Sequence, residues 1–175
     1  DIERIKSVSS ELGQTNILVA DANTGWKCHE AIKVIKQTES IDVYIEQPCE
    51  TYRDCVEIRK KTSNPFILDE SIDSLNNFLQ AYRDGVMDII NLKISKLGGI
   101  YKSKQIRDLC VELKIPMTIE DSWGGDIATA AISHLAHSTP EKFRVSSTDF
   151  NSYNSISYTE GSPKRIEGKM QASDN

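Results

Sequence analysis

Residues 43–69 read VYIEQPCETYRDCVEIRKKTSNPFILD. A short run, Val43-Tyr44-Ile45, ends on Glu46, and a Gln-Pro step follows. Residues from about 51 to 61 then carry Val56 and Ile58 as the buried positions of a helix. Asn64-Pro65 stops that helix and starts a second apolar run, because the residue before a proline is pushed to extended geometry. This run, Phe66-Ile67-Leu68, ends on Asp69. A strand, a helix and two loops thus fill the interval between two acids. The same unit recurs on both sides. ILVA ends at Asp21, IINL at Lys93 and MTI at Glu120, while RVSS leads to Asp149. Successive strand-end residues are 25, 23, 24, 27 and 29 positions apart. That interval suits a strand–helix repeat far better than a solenoid helix pair.

The helices between these strands show the same order. Residues 26–38 place Ala31, Ile32 and Ile35 on one face. Ser71 or Ser74 can cap a helix bearing Leu75, Phe78, Leu79 and Tyr82, and Asp84-Gly85 ends it. Gly98-Gly99 opens a helix with Ile106, Leu109 and Leu113, and residues 127–136 form an Ala-rich helix after Trp123-Gly124-Gly125-Asp126. Ile2, Ile5, Val8 and Leu12 share a helical face from the first residues, so the chain reads as the interior of something longer. Alternating strands and helices predict an α/β fold with a parallel sheet and right-handed crossovers. Six units appear where a closed barrel needs eight. The expected fold is therefore a partial (β/α) TIM-type barrel, about strands 3 to 8, over residues 1–160, with an irregular tail over 161–175.

Composition narrows the function classes. With 38% hydrophobic and 27% charged residues, the 175-residue chain has the make-up of a soluble domain with a sizeable core. A net charge of −5 and the lack of any basic block argue against nucleic acid or an anionic membrane as partner. Cys28, Cys49, Cys55 and Cys110 show no C-x-x-C spacing, and His29, His134 and His137 lie apart from them, which argues against a thiolate zinc site. Free thiols in a reduced, cytoplasmic protein are the expectation.

Charged residues at the C-terminal ends of parallel strands are how a (β/α) barrel builds an active site. Asp21, Glu46 and Asp69 end consecutive strands, where three carboxylates repel unless a cation intervenes. Mg²⁺, with Mn²⁺ as a substitute, takes such oxygen ligands and keeps positions open for water or substrate. The competing reading has each acid capping the helix that follows. In the strand ending at Lys93, residues 89, 91 and 93 share a face. If that face is the barrel interior, a lysine near a metal is held where desolvation and positive charge make it a base near neutral pH. The competing reading is a lysine reaching out to solvent. Lys96 belongs to the loop beyond.

Five motifs together resemble the enolase superfamily, in its mandelate racemase/muconate lactonizing enzyme branch: Asp21-Ala22-Asn23-x-Gly25-Trp26, Glu46-Gln47-Pro48, Asp69-Glu70-Ser71, Asn91-Leu92-Lys93 with Lys96-x-Gly98-Gly99, and Trp123-Gly124-Gly125-Asp126. They follow the family's order through almost the whole chain. The resemblance implies metal ligation by Asp21, Glu46 and Asp69, acid/base work by Lys93, and Glu70 orienting that lysine. It implies removal of a proton α to a carboxylate, with the metal stabilising the ene-diolate. Reprotonation gives racemisation or epimerisation, and loss of a β-substituent gives dehydration.

The resemblance also bears on substrate. Mandelate racemase-like members place a catalytic His at the seventh strand, where this chain has Glu120-Asp121, so lysine chemistry is implied and His134 and His137 are left structural or solvent-facing. Dipeptide epimerases hold a substrate ammonium with an Asp-x-Asp, and here that place reads Asp149-Phe150-Asn151. Residues 119–126 and 147–153 look more like proline-derivative enzymes, especially cis-3-hydroxy-L-proline dehydratases. Trp123 could cover a cationic ring nitrogen, with Asp121 or Asp149 paired to it and Asn23 also on the substrate side. Trp123 has an equal claim as a packing residue at a loop–helix junction. The family's second catalytic lysine, in a Lys-x-Lys motif, its first two strands and its capping domain would lie upstream of Asp1. These residues alone are therefore expected to be inactive. The full-length protein would be a homo-oligomeric lyase or racemase acting on a small, proline-like carboxylate. A truncated, non-catalytic relative that works as a binding protein is the other class left open.

Overall fold

The computed structural model has strands starting at Phe66 and Met117, directly after Pro65 and Pro116, the prolines that stop the preceding helices. It describes residues 1–13, 15–121, 123–149 and 153–172. The elements run α1 (Ile2–Glu11), β1 (Leu18–Asp21), α2 (Cys28–Gln37), β2 (Val43–Glu46), α3 (Tyr52–Arg59), β3 (Phe66–Leu68), α4 (Leu75–Asp84), β4 (Ile89–Lys93), α5 (Ile100–Leu113), β5 (Met117–Glu120), α6 (Gly125–His137), a 3₁₀ turn (Glu141–Phe143) and β6 (Arg144–Ser147). Two units are distinguished: residues 1–71 with 79–89, and residues 72–78 with 90–175.

In the first unit β1, β2 and β3 are parallel neighbours, with Asp21 level with Glu46 and Glu46 level with Ile67. Level residues of parallel strands point to the same side, and alternate residues share a face. Val43, Ile45, Phe66 and Leu68 therefore line one face and are buried, as are Ala31, Val34 and Ile35 of α2 and Cys55 and Ile58 of α3. Burying each large apolar side chain contributes roughly 1.5–3 kcal/mol. The opposite face carries Val19, Asp21, Tyr44 and Glu46. The strand starts are tied by polar groups. Asn64 Nδ2 donates to the carbonyls of Ile41 (3.2 Å) and Val43 (3.1 Å). Asp88 accepts from the Phe66 amide at 2.8 Å and pairs with Arg59 at 2.9 Å.

In the second unit β4, β5 and β6 are again parallel, with Lys93 level with Glu120 and a register shift between Met117 and Thr118 against β6. Ile90, Leu92, Met117 and Ile119 are buried on one face. Asn91, Lys93, Thr118, Glu120 and Ser146 occupy the other together with Ile89, so the polar groups of these strands gather on one side. Arg107 of α5 is buried and reaches the end of α6, donating to the Ser138 carbonyl at 2.8 Å and to Thr139 Oγ1 at 3.2 Å. Residues 153–172 are irregular apart from a bridge between Ile166 and Lys169. Ser74 rather than Ser71 caps α4, accepting from the Asn77 amide at 3.2 Å. All four cysteines are free. No helix among the described residues is long and apolar enough to cross a membrane.

Candidate active site

The three carboxylates arise at the ends of β1, β2 and β3. Asp21 Oδ1 accepts from the Asn23 amide (2.8 Å) and Oδ2 from Asn23 Nδ2 (2.7 Å), so both its oxygens are oriented by one residue. The loop manages this by turning sharply, with Asn23 and Thr24 in the left-handed region at φ 45° and 64°. Gly25 closes the turn, where a Cβ would meet the Ala22 carbonyl oxygen at 2.9 Å. Glu46 is 8% exposed and Asp69 1% exposed. Asp69 lies two residues beyond Ile67, the partner of Glu46, so by strand parity it belongs to the same side as Glu46 and Asp21. The expectation of three carboxylates on one side therefore matches the register, although Asp69 stands beyond the level of the other two.

Among the described residues, no three His, Cys, Asp or Glu side chains are gathered tightly as a metal cluster. The donor set nonetheless fits a hard divalent cation. It is all carboxylate oxygen, the hard donor such a cation prefers, and by strand parity its members belong to one face.

Lys93 ends β4 and sits 3.4 Å from Glu120 Oε1 across the level pair, both side chains largely buried. Asn91 Nδ2 donates to the same oxygen at 2.8 Å. Residues 91 and 93 thus share a face as their spacing predicts. The sequence marks Glu120 only as a strand end and does not tie it to the lysine. The available signal was the level pairing of β4 with β5, which requires knowing the register. Glu70, expected to orient Lys93, is half-buried directly after Asp69.

The four substrate-side expectations fall in different settings. Asn23 is engaged with Asp21 as described. Asp121 is buried and accepts from the Ser95 amide at 3.0 Å and from Ser95 Oγ, so it holds the loop after Lys93. Trp123 is 64% exposed, its ring 6.0 Å from that of Tyr153. Asp149 is buried, accepts from Thr129 Oγ1 of α6 at 2.9 Å and pairs with Arg165. Asp149 lies two residues beyond Ser147, the last residue of β6, which is level with Ile119. Phe150 and Asn151 of the Asp149-Phe150-Asn151 stretch, and Ser122 and Ser152 of the neighbouring motifs, lie outside the described residues. His134 and His137 are exposed on α6, as expected.

Known proteins resemble this arrangement over its whole length. A cis-3-hydroxy-L-proline dehydratase of Roseibium aggregatum is 56% identical over 174 residues, covering 99% of this chain and 47% of that protein. The crystal structure of a mandelate racemase/muconate lactonizing enzyme from Roseovarius nubinhibens superposes with a TM-score of 0.94 at 39% identity, over 99% of this chain and 47% of that one. A member of the enolase superfamily from the same organism, solved with magnesium, superposes with a TM-score of 0.92 at 30% identity, over 98% of this chain and 47% of that one. The chain spans about half the length of the relatives it matches. Its fold is a partial (β/α) barrel of the kind those structures contain. Residues 1–175 match the enolase C-terminal domain-like family from end to end, and the chain belongs to that family.

Proposed function

We propose that these residues supply the metal ligands and one base of an enzyme that removes the proton α to a carboxylate, and that the reaction is dehydration of cis-3-hydroxy-L-proline or a related amino acid. The observation that carries this reading is the 56% identity, across 99% of the chain, to a dehydratase of that substrate. Asp21, Glu46 and Asp69 would hold Mg²⁺, or Mn²⁺ in its place. A bound ion supplies Lewis-acid stabilisation of the negative charge that builds on the substrate carboxylate.

Lys93 Nζ takes the α-proton. The electron pair of that C–H bond becomes the Cα–Cβ double bond as the bond to the β-hydroxyl breaks, and the hydroxyl leaves as water with a proton from a second acid. Glu120 and Glu70 orient the lysine and favour its charged form after transfer. Asn23, Asp121, Trp123 and Asp149 form the substrate-contact set, with the indole face attracting a cationic ring nitrogen. The enzyme works in the cytoplasm as a homo-oligomer, without nucleic acid or membrane.

The test uses the protein with its natural flanking sequence and cis-3-hydroxy-L-proline, with product and solvent-deuterium uptake followed by NMR. Turnover should vanish with a chelator and return with Mg²⁺. Lys93→Ala should abolish turnover and leave Mg²⁺ binding intact. Retained turnover in that variant would remove Lys93 from the role of base.

A further inference from the structure

The residue that joins the segments bearing the three carboxylates is Gln47, a neutral residue to which no chemistry has been assigned. It is fully buried, and its backbone takes a left-handed φ of 30° between Glu46 and Pro48. Its Oε1 accepts from the Asp69 amide (3.0 Å) and from the Ser71 amide (3.2 Å). Its Nε2 donates to Ser71 Oγ (2.8 Å) and to the Cys49 carbonyl (3.1 Å), with a longer contact to Cys55 Sγ (3.6 Å). A carboxamide offers two donor hydrogens and two acceptor lone pairs, and both its groups are fully engaged here. The orientation of the amide is thereby fixed, since turning it over would set its NH₂ against two N–H donors.

The main chain of Gln47 continues the same linkage. Its amide donates to the Ile67 carbonyl at 3.0 Å, and its carbonyl accepts from the Thr24 amide at 2.9 Å. One residue therefore touches the loop after Asp21, adjoins Glu46 and holds the amide of Asp69. Where β3 ends, the Gln47 side chain replaces the next rung of the ladder and carries the chain on to Asp69.

We propose that Gln47 is the positioning residue that sets the three carboxylates for the divalent cation, acting through the Asp69 and Ser71 amides and the Thr24 turn. The inference rests on the metal reading given above. Groups that orient ligands without touching the metal typically change its affinity about 10–100-fold when removed.

The experiment is Mn²⁺ titration by electron paramagnetic resonance on the protein with its natural flanks, in wild type, Gln47→Leu, Gln47→Glu and Asp69→Asn. Melting curves are recorded in parallel. Gln47→Leu loses every side-chain hydrogen bond of Gln47 and should bind Mn²⁺ about 10–100-fold more weakly. Gln47→Glu keeps both acceptor bonds to the Asp69 and Ser71 amides while losing the Nε2 donations to the Cys49 carbonyl, Ser71 Oγ and Cys55 Sγ. It should melt lower than wild type, as Gln47→Leu does, yet hold Mn²⁺ at least as well as wild type. A purely structural role would move affinity and melting together in both variants and would overturn the proposal. Wild-type binding that Asp69→Asn weakens but Gln47→Leu leaves unchanged overturns it too, with the metal reading intact. A wild type that binds no Mn²⁺ overturns both.

Discussion

Lys93 and Glu120 form a largely buried pair, 3.4 Å apart, and Asn91 Nδ2 donates to the same Glu120 oxygen at 2.8 Å. Glu120→Ala removes that shared acceptor from both side chains and should cost about 1–3 kcal/mol of stability in urea unfolding. A change below about 0.5 kcal/mol would show that the carboxylate adds nothing to this strand pair. The candidate site residues were legible in unequal measure. Asp21, Glu46, Asp69 and Lys93 stand out because each closes an apolar run at a repeating interval. Glu120 as a lysine partner and Gln47 as a link depend on which residues lie level across strands. Interval alone does not give that information.

At the scale of elements, local punctuation predicts most boundaries and tertiary contacts move the rest. Helix α6 was expected over 127–136 but starts at Gly125, because Gly124 and Gly125 supply a turn that side-chain periodicity does not reveal. Gly125 has φ 66°, and a Cβ there would lie 1.1 Å from the Tyr158 hydroxyl oxygen. Next to it Asp126 accepts from the Tyr158 amide (2.9 Å) and Ser157 Oγ (2.8 Å), bonds that hold its carboxyl below the usual carboxylate range. Gly125→Ala should therefore expel the Tyr158 ring and free the segment around it. Hydrogen exchange at the Tyr158 and Thr159 amides should rise while protection within β5 stays. Unchanged exchange would show that the ring is not seated there.

The start of β3 carries a second expectation at this scale. Asn64→Ala leaves the carbonyls of Ile41 and Val43 without their shared donor, at a cost of about 1–3 kcal/mol. Urea unfolding would measure the loss, and a change below about 0.5 kcal/mol would show that water replaces the amide at no net cost.

The whole molecule carries a stability signature in its thiols, because burial outweighs the contacts that some of them make. Burial pushes the Cys49 and Cys110 thiols from 9.0 up to about 12, and the Cys55 thiol up to about 11. Cys49 and Cys55 belong to the first unit and Cys110 to the second, so each unit contains such a group. The parallel-strand architecture was legible because its period is coarse and its strand ends are charged. These thiols show where the reading ran short, since no pattern in the sequence distinguishes a buried cysteine from a half-buried one such as Cys28.

A folded-state value above the unfolded one means that the folded chain binds the proton more tightly. The stabilisation is complete below about pH 9, the unfolded value, and is lost as pH rises toward the folded values near 11 to 12. The urea midpoint should accordingly fall between about pH 8.5 and about pH 10.5. Lysines and tyrosines also titrate in that range, so the comparison that isolates the thiols is with variants. Cys49→Ala and Cys110→Ala should each start less stable at the lower pH, because a buried sulfur is lost, and should then lose less on going to the higher one. A slope as steep in both variants as in wild type would assign the alkaline loss to the other groups.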